Sequence, residues 1–139
     1  MSEHMQFAKF INRTFDETMQ LLEEALDYSM HDWKEDVRGL PDDESLRVTG
    51  ERMRLTARLS EIMAWVMVQK AVADGEMTAE QAQSHEYHLS AHDVCLADNR
   101  DKPDACPERL GVMLDRSRDL YSRVIKLAQM ASRLLTLGA

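Results

Sequence analysis

Apolar residues return along this chain at intervals of three and four over three long stretches, the spacing that puts side chains on one face of an α-helix. In the first stretch Phe7, Ile11, Phe15, Leu22, Leu26 and Trp33 keep the rhythm, with Thr18 and Ser29 in phase, so a helix is expected over about 7–37. Gly39-Leu40-Pro41 ends it, because glycine accepts a left-handed turn and proline cannot extend the hydrogen-bond ladder. Asp42, Asp43 and Glu44 then suit the positive end of a second helix, about 43–73, with Gly75 as its stop. Thr78-Ala79-Glu80-Gln81 has the form of a capping box and opens a short extra helix in the 76–106 connector. Ala97 to Pro107, with two Pro and five charges, reads as a loop. The third helix, about 108–136, carries Leu110, Leu114, Ser117, Tyr121, Val124, Ala128, Ala131 and Leu135. No strand alternation or internal repeat interrupts this pattern. The expected fold is all-α: one domain over 1–139, its three long antiparallel helices forming an up-down-up bundle.

The second helix is apolar all round at Ile62-Met63-Ala64-Trp65-Val66-Met67-Val68, and a helix of that kind is covered on several sides. The run is far too short to span a bilayer. At 100° per residue Leu55, Leu59, Ile62 and Val66 share one side, while Met53, Ser60, Met63, Ala64, Met67 and Ala71 spread over the adjoining sides. Together they would serve the two contacts of a middle helix. The remaining strip holds Arg47, Arg54, Arg58, Glu61, Trp65, Val68 and Val72. Tryptophan and arginine are the residues most enriched where proteins bind one another, which makes this strip a candidate interface. The competing reading has Trp65 lying over the arginine stems and closing the core.

Composition changes this picture only at its edges. At 139 residues the chain is long enough for a single domain with a real core. Ten Met against three Phe point to adaptable packing, found in helical cores and at surfaces that accept varied partners. The net charge of −8 disfavours nucleic acid, which requires a basic patch. Charge is uneven: residues 1–50 sum to −7, 51–75 to +1, 76–106 to −5 and 107–139 to +3. No signal peptide or membrane span is visible, so a cytoplasmic protein with reduced Cys95 and Cys106 is expected.

The search for chemistry yields no phosphate loop, nucleotide-binding glycine motif or nucleophile elbow. Carboxylates occur in runs such as Glu23-Glu24 and Asp42-Asp43-Glu44, which suit a solvated face or a helix start. His85, His88, His92 and Cys95 are spaced three, four and three and would share one face of a helical connector, the geometry of di-histidine chelation. Their span of roughly 15 Å prevents all four from meeting one ion, and ordinary helix residues are the simpler reading. Neither catalysis nor a cofactor is expected.

The run Glu51-Arg52-Met53-Arg54-Leu55-Thr56-Ala57-Arg58-Leu59, followed by Ala64-Trp65 and by Gln69-Lys70-Ala71-Val72-Ala73-Asp74-Gly75-Glu76-Met77-Thr78, resembles the signature of the alphaproteobacterial regulator of CtrA degradation family. Met19-Gln20-Leu21-Leu22-Glu23-Glu24-Ala25 and Arg109-Leu110-Gly111-Val112-Met113-Leu114-Asp115-Arg116-Ser117 are similar to it as well. The resemblance implies a non-enzymatic adaptor that tends to dimerise and that helps the ClpXP protease receive cell-cycle cargo. Its implied partners are the protease unfoldase, a response-regulator adaptor and protein cargo. Arg54, Arg58, Gln69, Lys70 and Glu76 are the matching positions expected to contact protein, with Met53, Leu55 and Leu59 expected in the core. Together with the strip above, the candidate interaction residues are Arg54, Arg58, Glu61, Trp65, Gln69, Lys70, Val72 and Glu76. A scaffolding homodimer and a small metal-responsive helical regulator are the competing readings.

Overall fold

The computed structural model describes residues 2–84 and 103–138. It contains α1 (Glu3–His31), α2 (Trp33–Val37), α3 (Asp42–Ala73), α4 (Ala79–Ala82) and α5 (Glu108–Gly138), and among the described residues there is no strand. The Ser2 hydroxyl accepts from the Met5 amide and caps α1, placing its start ahead of the first apolar repeat. The expected single helix over 7–37 is divided at Asp32. Here Tyr28 and Trp33 meet edge to face with ring centroids 6.2 Å apart, and the Tyr28 hydroxyl donates to Asp36 Oδ2 at 2.9 Å. Arg52 of α3 lies over the Trp33 ring at 4.3 Å, so α2 is pinned across the start of α3.

Gly39 and Gly75, at φ +80 and +78, make the two turns that the sequence assigns to them. After α3 the Glu76 amide returns to the Ala71 carbonyl and the Gly75 amide to Val72, a Schellman stop. The Thr78 hydroxyl and the Gln81 side chain then cap α4 reciprocally, as the capping-box spacing predicts.

The direction of the third long helix differs from the expected alternation. Arg109, Arg116 and Arg123 of α5 pair with Asp27, Glu24 and Glu17 of α1, so these two helices run antiparallel. Lys70 meets Asn12 and Phe15 while Arg52 meets Trp33, so α3 is also antiparallel to α1. Arg58 bonds to Leu114 and Ser117, and Gln69 shares a cleft with Ala131 and Leu134; α3 and α5 are therefore parallel. The bundle runs up-down-down. Short loops force neighbouring helices to be antiparallel, but the residues between α3 and α5 are numerous enough to retrace a helix of about 48 Å.

The core holds Ile11, Leu21 and Tyr28 of α1, Val48, Leu55, Leu59, Ile62, Trp65 and Val66 of α3, and Leu110, Leu114, Tyr121 and Val124 of α5. Leu55, Leu59, Ile62 and Val66 are placed as their spacing predicts. The methionine side of α3 is not: Met53 is 66 % and Met67 57 % exposed, and Ser60 and Ala64 are exposed as well. The physical reason is that α5 packs on the side bearing Arg58 and Trp65, which leaves the methionine side uncovered. Among the described residues, no helix is long and apolar enough to cross a membrane.

Candidate functional site

The strip from Arg54 to Glu76 divides once the helices are assembled. Arg58 is fully buried; its Nη1 donates to the Ser117 hydroxyl at 2.7 Å and to the Leu114 carbonyl at 3.3 Å. Trp65 and Gln69 are each 6 % exposed; Trp65 belongs to the core, and Gln69 shares a cleft wall with Ala131 and Leu134 of α5. Arg54 is exposed and pairs with the buried Glu51, and Glu61 is half-buried. Lys70 turns the other way, to α1, where its ammonium contacts Asn12 Oδ1 at 3.2 Å and sits 4.6 Å from the Phe15 ring centroid. Val72 is half-buried at the end of the bundle, and Glu76 is exposed just beyond Gly75. The structure thus brings Arg58, Trp65 and Gln69 together inside the protein and leaves Arg54, Lys70 and Glu76 on separate parts of its surface.

What is exposed instead is a face shared by α1 and α3. On α3, Leu46, Met53 and Met67 are largely exposed, Met63 is half-buried, and Ser60 and Ala64 lie between them. Leu46, Met53, Ser60 and Met67 follow one another by seven, so they form a narrow stripe along the helix. On α1, Met19, Leu26 and Met30 are exposed along the edge nearest α3. The Asn12–Lys70 and Trp33–Arg52 contacts set the antiparallel register, which puts Met30 near the level of Met53 and Met19 near that of Met63 and Met67. The methionine count of the sequence therefore belongs to the outside. Met113 is the buried methionine among the described residues. The signal that could have found this face was the seven-residue repeat of exposed Leu and Met, which averaging over an apolar helix conceals.

Electrostatics concentrate along the opposite seam. The Arg109 guanidinium donates to Asp27 at 3.0 Å and also bonds Asp32, holding the Asp27 carboxyl below its ordinary pKa range. Burial pushes the Tyr28 hydroxyl well above its usual range, and the hydrogen bond that it donates to Asp36 pushes it further. These groups lock α1, α2 and α5 together, with the His31 ring against Asp27 and the Cys106 thiol near Tyr28. Among the described residues no group of three or more His, Cys, Asp or Glu is arranged to hold a metal ion. The metal candidates His85, His88, His92 and Cys95 lie outside the described residues. Cys106 is half-buried, and its thiol donates to the Pro107 carbonyl at 3.7 Å.

Comparison with known proteins places this architecture. No curated protein matches the chain significantly. A family profile described as a protein of unknown function, DUF1465, matches residues 2–134. The crystal structure of RcdA from Caulobacter crescentus CB15 superposes with a TM-score of 0.69 at 33 % sequence identity, covering 87 % of this chain and 89 % of that one. The profile spans nearly the whole chain and the RcdA likeness covers most of it at 33 % identity, so the chain belongs to the DUF1465 family and to the family of RcdA, the regulator of CtrA degradation.

Proposed function

We propose that this protein is a non-enzymatic, cytoplasmic adaptor in regulated proteolysis of the ClpXP type, working through the exposed Leu/Met face of α1 and α3. The observation that carries the reading is that face, which holds six of the eight large apolar side chains exposed among the described residues. Methionine is unbranched and polarizable, so a surface built from it accommodates apolar partners of differing shape, as cargo selection requires. An adaptor of this kind accelerates degradation by raising the effective concentration of cargo at the unfoldase, without chemistry of its own. Kinship with RcdA supports the same assignment. Arg54 and Glu76, both exposed, serve as polar contacts away from the apolar stripe.

The test is reconstitution of ClpXP with a response-regulator adaptor and a cell-cycle cargo. Added protein is expected to accelerate cargo loss, and the double variant Met19→Glu/Met67→Glu to abolish the acceleration while keeping its helical circular dichroism. Equal degradation with and without the wild-type protein rules the adaptor reading out.

A homodimer is the second reading with an observation of its own. Met53 and Met67 stand seven residues to either side of exposed Ser60, so the stripe is suited to a two-fold axis at Ser60 that would set each Met53 against the other copy's Met67. Sedimentation of Met53→Glu tests it: wild-type dimers should become monomers, and an unchanged mass assigns the stripe to other partners.

A further inference from the structure

Where α1 begins and α3 ends, His4, Phe7, Gln69 and Val72 line two adjoining clefts of about 270 and 300 Å³. Leu134, Leu135 and Glu80 complete the first, and Ile11, Asn12 and Asp74 the second. Gln69 stands in the wall common to both, more than nine-tenths buried, and among the described residues its side-chain nitrogen Nε2 has no hydrogen-bond partner. Folding selects against a buried donor left without an acceptor, and an apolar residue of similar size would fill this position at no such cost. The terminal torsion of a glutamine is broad, so a small rotation turns the donor into either cleft.

We propose that this end of the bundle docks a peptide segment of another protein, carrying a large apolar side chain next to a basic residue. The apolar group enters against Phe7, Val72 and Leu134, and the peptide's backbone carbonyl accepts a hydrogen bond from Gln69 Nε2. Size selects this occupant: the clefts exceed the roughly 150 Å³ that holds a benzene ring, yet sit at the small end of pockets that enclose whole metabolites. Charge selects its neighbour. Glu80 is the exposed carboxylate at the rim of the first cleft, whose lining includes no lysine or arginine among the described residues. Asp74 in the second is offset by Lys70, whose charge its neutral partners Asn12 and Phe15 do not cancel. A cation beside the apolar group therefore meets Glu80, and an acidic residue there is repelled. The site is separate from the Leu/Met face and does not depend on the adaptor reading.

The experiment titrates acetylated, amidated peptides into the isotope-labelled full chain and follows the Gln69 side-chain amide and the Val72 and Leu134 methyls by NMR. The probes are Ala-Leu-Lys-Ala, Ala-Ser-Lys-Ala and Ala-Leu-Glu-Ala. The first should give saturable shifts at those groups, and the other two should bind at least fivefold more weakly. Gln69→Leu should raise Tm by a few degrees while weakening the first peptide at least tenfold. Absence of saturable shifts, equal binding of the three peptides, or full binding by a folded Gln69→Leu protein overturns the proposal.

Discussion

Arg58 is a charge enclosed between two helices, and its value to the fold is a balance of opposing terms. Its bonds to Leu114 and Ser117 tie α3 to α5, while removing a guanidinium from water is costly. Arg58→Ala, which loses the bonds and leaves a void, should lower stability by about 2–5 kcal/mol in urea unfolding, the range for large-to-small changes in cores. Arg58→Met keeps most of the volume without the charge. It should cost less than Arg58→Ala, since no void is left and Ser117 still donates to the Leu114 carbonyl at 2.9 Å. Tyr28 carries a pH dependence of its own. Its folded-state pKa is raised, so its contribution is complete below the ordinary tyrosine value of about 10 and is lost as the pH rises above it. Tyr28→Phe should cost roughly 0.5–1.5 kcal/mol at neutral pH and should flatten the alkaline side of the stability curve.

At the scale of single elements, two glycines give opposite outcomes for the same substitution. Gly75 closes α3 at φ +78, a conformation in which a side chain costs about 1–2 kcal/mol, so Gly75→Ala should destabilise by that amount in thermal unfolding. Gly50 is inside α3, and a Cβ added there would meet nothing within 4 Å. Gly50→Ala should therefore stabilise by about 0.5–1 kcal/mol through reduced backbone entropy in the unfolded chain. The α5 arginines show a different use of spacing. Arg109, Arg116 and Arg123 recur every seven residues and find acids that descend along α1. Each half-exposed pair contributes little energy, but together they favour one direction and one register.

Across the whole molecule, direction decides which surfaces exist. Because α5 runs parallel to α3 and covers its Arg58–Trp65 side, the methionine stripe remains outside and joins the exposed edge of α1. The same arrangement brings the far ends of α3 and α5 together around Gln69, where the two clefts form. Docking on the broad apolar face and docking in the end clefts are thus separable by position. Met19→Glu/Met67→Glu should leave Gln69-dependent peptide shifts intact.

The chain by itself determined the three long helices, the glycine turns, the capping box and the central Leu55, Leu59, Ile62 and Val66 stripe, because each depends on residues within a turn or two of one another. Its likeness to the CtrA-degradation regulators was legible for the same reason, in continuous runs of residues. Only the tertiary structure decided which side of α3 is interior. A helix that is apolar all round offers several equivalent faces, and polar residues such as Arg58 and Gln69 read as surface until another helix supplies partners or excludes water. Helix direction was likewise undetermined, since a long connector permits parallel as well as antiparallel return and the selecting contacts lie far apart in sequence.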